Sequence, residues 1–154
     1  MIVPPPRSRS SLRSASALLI AGCILAGCSR DDREARRQAA GPHPSLEALA
    51  RVADAQAGSV AFRRCAACHP IAPGTPDLGG PNLFGIMGAP IGHHSDRFGY
   101  TAALQAVGGV WTPARMDAWM ADPHAMVPRT TMNFDGVADP LIRADIIAYL
   151  QTRK

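Results

Sequence analysis

Residues 65–69 read Cys65-Ala66-Ala67-Cys68-His69, and this pentapeptide does most to decide how the chain folds. Two thiols at this spacing, followed at once by an imidazole, form the attachment sequence of a c-type haem. The thiols can add to the two vinyl groups of one porphyrin, and the imidazole then lies against one face of the iron. The motif therefore predicts one covalently bound haem c, attached through Cys65 and Cys68, with His69 as an axial ligand.

Two other kinds of site share the C-x-x-C spacing. A structural zinc site needs four ligands and usually takes a second pair from further along the chain, but no cysteine follows Cys68 and the next histidines, His93 and His94, are adjacent. A redox dithiol needs the motif at the start of a helix that follows a strand. Here the motif follows a predicted helix and precedes a loop, so haem attachment is favoured over both alternatives.

Residues 1–27 have the pattern of an export signal. Arginines up to Arg13 precede an apolar stretch, residues 15–27, which is short for a membrane span. The letters L-A-G-C that end at Cys28 resemble a bacterial lipoprotein signal, which implies cleavage before Cys28 and lipidation of its thiol. A similar but weaker pattern ends at Cys23, and an ordinary signal peptide or an uncleaved anchor are further alternatives.

Composition and charge restrict the class of protein. With 154 residues, of which 47% are hydrophobic, the chain is long enough for one domain. The formal net charge of +4 falls to +1 when Arg7, Arg9 and Arg13 of the predicted leader are left out. This balance argues against a nucleic-acid binder, which needs a one-sided basic surface. A dense lysine ring is excluded as well, because Lys154 is the one lysine.

The sequence beyond the predicted leader divides into two parts. Residues 28–44 are charged, nearly lack large apolar side chains and end in Gly41-Pro42-His43-Pro44, so they are predicted to form a lipidated, flexible tether. A frayed helical turn over residues 31–40 is the alternative within this tether. Residues 45–154 are predicted to form the domain.

Helical signals recur in the domain, and no segment alternates like a strand. Apolar residues at helical spacing predict a helix over residues 45–64, with Ser45 as its N-cap. Thr112-Pro113 and Asp139-Pro140 each place a capping residue before a proline at the first helical position. A short helix is expected over 101–107, and none within the Gly- and Pro-rich stretch 70–99. These patterns predict an all-α fold with about three to five helices and long loops around the haem.

Several motifs, in order, resemble those of the class I cytochromes c. Gly58 and Phe62 have the G-x-x-x-F spacing of that family's first helix, with Tyr149 and Leu150 in the matching last helix. Gly80-Pro81-Asn82-Leu83 resembles the family's G-P-N-L loop, and the segment 128–134 around Met132 resembles its methionine segment. The resemblance covers residues 58–154 and implies a cytochrome c fold.

The resemblance also implies roles for individual residues. His69 and Met132 would be the two axial ligands, and the Pro81 carbonyl would accept a hydrogen bond from the other ring nitrogen of His69. Tyr100 and Trp111 would hydrogen-bond a haem propionate, or else serve as ordinary aromatic core. Thr130 would lie near the propionates or the methionine loop. The chain departs from the family pattern at Ala89, where an arginine is frequent, and at Arg129, where a glycine often precedes the threonine.

The residues themselves leave other sixth ligands open. Met126 and the His93/His94 pair are the main alternatives to Met132. Met116 and Met120 lie four residues apart on a predicted helix, where core packing is expected, and Met87 is interpreted as a packing residue too.

The function implied by the resemblance is single-electron transfer without catalysis. The predicted lipid anchor would hold a monomeric domain on the periplasmic side of the cell envelope, on either the inner or the outer membrane, where it would exchange electrons with protein redox partners. Two alternatives remain at this point. One is a ligand-binding or weakly peroxidatic haem protein with a dissociable sixth ligand, and the other is an electron-accepting subunit of a dehydrogenase complex.

Overall fold

The structure is a computed structural model that describes Met1 and residues 28–154. Eight helical segments follow one another in that range: α1 (Cys28–Ala40), α2 (Leu46–Val52), α3 (Ala55–Ala61), α4 (Arg63–Ala66), α5 (Ala102–Gln105), α6 (Pro113–Ala121), α7 (Pro123–Met126) and α8 (Pro140–Gln151). Apart from Met1, the predicted signal peptide lies outside the described residues.

The described part of the chain contains no β-strand, only an isolated bridge between Pro90 and Val110, which confirms the all-α prediction. The described helical segments outnumber the predicted three to five for three reasons. The stretch 45–64, predicted as one helix, holds α2, α3 and the start of α4. Helix α7 was not predicted, and α1 is longer than the helical turn expected over residues 31–40. The stretch 70–99 is free of helix, as its glycines and prolines predict.

Helices α3 and α8 cross in direct contact and form the frame of the domain. The backbone of α8 passes so close to Gly58 that a Cβ there would overlap the Asp145 carbonyl oxygen and lie 2.9 Å from Tyr149 Cβ. Phe62, one turn further along, packs its ring 5.4 Å from that of Tyr149. The G-x-x-x-F spacing thus has a physical cause, since the glycine admits the second helix and the phenylalanine packs beside it.

The capping predictions for the later helices are confirmed. Thr112 accepts a hydrogen bond from Arg115 N, and Asp139 accepts one from Leu141 N, each with proline at the start of its helix. Thr101 caps the short helix α5 in the same way. These caps satisfy backbone N–H groups that have no partner within the helix.

The prediction of one continuous helix over 45–64 is wrong. Ser45 does cap its start, but the backbone is extended at Ala53 and Asp54, and the helix begins again at Ala55. The Asp54 N–H donates to Asp145 Oδ1 at 2.8 Å, while its own carboxylate caps Gln56 N. Both bonds require a non-helical backbone at Asp54. The spacing of apolar residues, from which the helix was predicted, does not indicate either bond.

The prediction that residues 28–44 form a flexible tether is also wrong in part, because residues 28–40 form helix α1. Arg36 donates two hydrogen bonds to Asp145, at 2.6 and 3.2 Å, and the Asp145 side chain is only 1% exposed. The bond with this carboxylate raises the pKa of Arg36. A buried carboxylate needs such a partner, so α1 is bound to the domain and does not swing freely.

Candidate functional site

The C-x-x-C-H motif lies at the end of α4 and in the turn that follows. The amides of Cys68 and His69 both donate to Cys65 O, at 3.1 and 2.9 Å, so this turn brings the two cysteines and the histidine together. Cys65 is partly buried, whereas Cys68 is exposed. Burial raises the pKa of the Cys65 thiol to about 11. A redox dithiol needs its motif at the start of a helix that follows a strand, whereas this motif ends a helix in a part of the chain without strands.

The His69 ring is held in one orientation. Its Nδ1–H donates to the Pro81 carbonyl at 2.9 Å, as predicted, which leaves the lone pair of Nε2 free to bind a metal. Burial lowers the pKa of His69, and the Pro81 bond offsets only part of that effect, so the ring is neutral near pH 7. A neutral imidazole is the form that binds iron.

The Gly80 backbone forms a close wall beside this ring. A Cβ at Gly80 would overlap His69 Cε1 and lie 2.6 Å from Nδ1. No other amino acid can occupy this position while His69 stays where it is. The requirement explains why glycine precedes proline in the G-P-N-L loop.

The loop that carries Pro81 is fixed by hydrogen bonds of its own. Asn82 Nδ2 donates to the carbonyls of Ala72 and Thr75, both at 2.8 Å, and Asn82 Oδ1 accepts from Phe84 N at 2.9 Å. The Leu83 N–H donates to Pro70 O at 2.8 Å. Although the loop lacks helix and strand, its backbone is therefore tied at several points.

A cavity of about 360 Å³ opens beside His69. It brings together every predicted cofactor-binding residue: Cys65, Cys68, His69, Pro81, Tyr100, Trp111, Thr130 and Met132. Most of the remaining lining is apolar and belongs to the main core, including Phe62, Ile86, Met116 and Leu150. Arg64 is the one permanently charged residue among the lining residues in the described chain, where no carboxylate contributes.

These residues fit a haem. A large planar apolar group would need an apolar slot, two thiols and a neutral imidazole, and the cavity lining includes all three. Zinc is a poorer fit, since no three His, Cys, Asp or Glu side chains group into a metal site between residues 28 and 154. The long loop 70–99 supplies one wall through Gly79, Gly80 and Pro81.

The alternatives to Met132 lie elsewhere. Met126 and both histidines of the His93/His94 pair are absent from the cavity lining, and His94 Nε2 is hydrogen-bonded to Phe84 O at 2.9 Å. Met116 and Met120 do line the cavity, but both are buried core residues on α6. Met132 lies in an irregular segment, and its N–H donates to Thr130 Oγ1 at 3.2 Å.

The two aromatic residues of interest line the cavity from different loops. Tyr100 Oη accepts a hydrogen bond from Ser95 N at 3.2 Å, and burial raises the pKa of its phenol. Trp111 is 6% exposed and packs edge-on against Trp119, with ring centroids 5.7 Å apart.

Neither departure from the family pattern disturbs the backbone. Ala89 O accepts a hydrogen bond from Trp111 N at 2.9 Å, so this position supports the tryptophan through its main chain. Arg129 is exposed in the turn closed by the 2.9 Å bond from Thr130 N to Val127 O. No residue other than glycine in the described ranges has positive φ, so the turn does not need a glycine at Arg129.

Sequence reasoning missed Asp77, whose carboxylate accepts hydrogen bonds from Asn82 N at 2.7 Å and Ser95 Oγ at 2.6 Å. It joins the His69-supporting loop to the loop that leads to Tyr100. One signal was available, since Asp77 is the one carboxylate between Asp54 and Asp96. A single acidic residue in a Gly- and Pro-rich loop often binds backbone amides.

Comparison with known proteins finds several cytochromes c. The chain is 36% identical over 120 residues to a cytochrome c homolog of Bradyrhizobium diazoefficiens, covering 78% of this chain and 65% of the relative. It is 36% identical over 100 residues to cytochrome c2 of Agrobacterium tumefaciens, covering 63% of this chain and 89% of the relative. The solved structure of cytochrome cH from Methylobacterium extorquens superposes with a TM-score of 0.61 at 42% identity, covering 64% of this chain and 98% of that one. No family sequence model matches the chain.

Proposed function

The chain belongs to the class I cytochrome c family, and from this premise we propose that it is a membrane-tethered single-electron carrier with His69 and Met132 as axial ligands. One haem c, held covalently through Cys65 and Cys68, supplies the one-electron chemistry of its iron. The observation that carries the proposal is the cavity in which both cysteines, the oriented His69 and the Met132 segment meet.

The role of His69 is supported by its hydrogen bond and its neutral form. The 2.9 Å bond to Pro81 O orients the ring, and the lowered pKa keeps Nε2 unprotonated. A ligand that is already oriented and neutral need not reorganise between oxidation states. Small reorganisation favours rapid electron transfer.

The role of Met132 is supported by its position and by the exclusion of its rivals. It lines the cavity, whereas Met126, His93 and His94 do not. A thioether ligand raises the reduction potential relative to a second histidine. With His69 and Met132 as ligands, both axial positions would be filled by protein and no site would remain for oxygen or peroxide, which suits electron transfer and not catalysis.

Tyr100, Trp111 and Thr130 complete the proposed site. The two aromatic residues line the cavity and are proposed to donate to a propionate through Oη–H and Nε1–H. Thr130 supports the Met132 backbone through its hydroxyl oxygen.

We expect Met132→Ala to remove the sulfur-to-iron charge-transfer band of the oxidised protein. The reduction potential should fall by at least about 59 mV, a tenfold change in the one-electron equilibrium constant. Spectroelectrochemistry of the purified holoprotein measures both effects. Met126→Ala is the matched control, since Met126 is partly buried in the same part of the chain but does not line the cavity.

Two results would contradict the assignment. Persistence of the band in Met132→Ala would rule out Met132 as the ligand. Rapid carbon monoxide binding by the reduced native protein would favour a dissociable sixth ligand, and with it a ligand-binding or weakly peroxidatic protein.

Attachment to the membrane is proposed to occur through a lipid on Cys28. No helix in the described part of the chain is long and apolar enough to cross a membrane. Helix α1 begins at Cys28 and is bound to the domain at Arg36, about 12 Å further along at 1.5 Å per residue. The proposed anchor would therefore hold the domain close to the periplasmic membrane surface, where its redox partner proteins would have to bind.

Cys28→Ala is expected to abolish labelling by a radioactive fatty acid in cells that express the protein, whereas Cys23→Ala should retain it. The control is matched because Cys23 ends the weaker of the two signal patterns. Intact mass of the purified protein should give a diacylated chain that begins at residue 28. If labelling survives in Cys28→Ala and disappears in Cys23→Ala, the lipid is attached to Cys23 and the proposal for Cys28 is wrong.

A further inference from the structure

Asp77 and His69 bind opposite sides of the same peptide group, the one between Pro81 and Asn82. The Pro81 carbonyl and the Asn82 N–H belong to one peptide unit. The carbonyl accepts from His69 Nδ1–H at 2.9 Å, and the N–H donates to Asp77 Oδ1 at 2.7 Å. A carboxylate, a peptide group and an imidazole thus form one continuous chain of hydrogen bonds.

Hydrogen bonds in such a chain polarise one another. A carboxylate that accepts from a peptide N–H draws the proton toward itself and increases the negative charge on the carbonyl oxygen of the same peptide. Such cooperativity strengthens each hydrogen bond by about 10–30%. A more negative Pro81 oxygen accepts more strongly from His69. The imidazole then donates more electron density through Nε2, which stabilises ferric iron relative to ferrous iron.

The surrounding bonds keep this arrangement rigid. Ser95 Oγ–H donates to Asp77 Oδ2 at 2.6 Å, and Ser95 N in turn donates to Tyr100 Oη. The two side-chain bonds from Asn82 Nδ2 hold the other side of the loop. The peptide plane between Pro81 and Asn82 therefore cannot rotate without breaking several bonds.

Asp77 is charged at neutral pH. The hydrogen bonds from Ser95 and Asn82 lower its pKa, and the nearby Arg97 and His94 lower it further. The polarising group is thus an anion under working conditions.

We propose that Asp77 is a positioning residue that lowers the reduction potential of the haem by strengthening the His69–Pro81 hydrogen bond through the Pro81–Asn82 peptide group. The inference rests on the proposed role of His69 as axial ligand. It assigns an electronic role to a loop residue that does not line the cofactor cavity.

The test compares Asp77→Asn with Asp96→Asn in the full-length holoprotein. Both variants remove one negative charge from neighbouring loops, but only Asp77 contacts the Pro81–Asn82 peptide, and Asp96 is exposed. We expect Asp77→Asn to increase the equilibrium constant for reduction of the haem about threefold to tenfold. This corresponds to a reduction potential that is higher by roughly 30 to 59 mV, at 59 mV per tenfold change. The Asp96→Asn shift should be clearly smaller.

Ser95→Ala separates polarisation from loop rigidity. It keeps the Asp77 charge and the Asn82 bond while it removes the bond from Ser95 Oγ. A shift equal to that of Asp77→Asn would assign the effect to rigidity and overturn the proposal. Equal shifts in Asp77→Asn and Asp96→Asn would overturn it as well, because charge alone would explain them.

A measurement on the native holoprotein covers the case in which Asp77→Asn fails to fold. The Asn82 amide proton should resonate far downfield and exchange slowly in the NMR spectrum, as a donor to a carboxylate does. An ordinary shift with fast exchange would overturn the proposal. If the ring of His69 instead lacks the signature of an iron ligand in that spectrum, the proposed function fails, and the two failures are distinguished.

Discussion

Replacing both Cys65 and Cys68 with serine is expected to abolish covalent haem attachment and with it most of the native fold. The side chains that line the cofactor cavity, such as Phe62, Trp111 and Ile146, are also the main core cluster. In this variant the apolar lining of the cavity of about 360 Å³ would stay in contact with water. The stabilisation that comes from covering this apolar surface with the haem would be lost.

Haem staining after denaturing electrophoresis and intact mass measure attachment, and far-UV circular dichroism measures helix content. The single variant Cys68→Ser is the control, since it retains one thiol for a single thioether bond. A double variant that still carries haem mass after denaturation would contradict the attachment chemistry. A double variant that keeps native helix content and a cooperative unfolding transition would contradict the dependence of the core on the haem.

Gly58→Ala is expected to destabilise the holoprotein by about 3 kcal/mol. In an ordinary helix the same change would be stabilising, by about 1 kcal/mol, because alanine has the higher helix propensity. Here the added Cβ would overlap the Asp145 carbonyl oxygen and lie 2.5 Å from its carbonyl carbon. Both are backbone atoms of α8, so relief requires the two helices to move apart.

The effect is measured by guanidinium unfolding followed through haem absorbance and circular dichroism. Val60→Ala, on the same helix and 52% exposed, is the matched control, and its change should stay within about 0.5 kcal/mol. Unfolding of Gly58→Ala at or above the native midpoint would mean that the α3–α8 crossing is wider than described.

Short-range signals in the sequence were enough to select residues that the fold places around one cavity. Every predicted cofactor-binding residue lines one cavity, and the His69–Pro81 hydrogen bond is present. Haem attachment depends on residues adjacent in the chain, and the caps at Thr112 and Asp139 depend on bonds to amides a few residues away. Chemistry of such short range can be inferred from residue type and spacing.

The errors concern residues that act at long range in the chain. Asp145 lies in an apolar helix, and its buried carboxylate binds Arg36 and the Asp54 N–H, which are 109 and 91 positions away. These bonds divide the predicted helix at Ala53 and Asp54 and bind the predicted tether as helix α1. The composition of residues 28–44 is typical of a solvated, flexible segment. The buried carboxylate of Asp145 explains why Arg36 of this segment is nevertheless bound to the domain.

By itself, the sequence determined the haem-attachment chemistry, the all-α class and the starts of the later helices. The tertiary structure alone decided that helix α1 is bound to the domain through Arg36, that the first predicted helix is broken, and that the Asp77 carboxylate binds the peptide group that holds His69. The physical reason is that capping and covalent attachment are contacts between near neighbours in the chain. The partner of a buried charge depends on which distant segments the fold brings together.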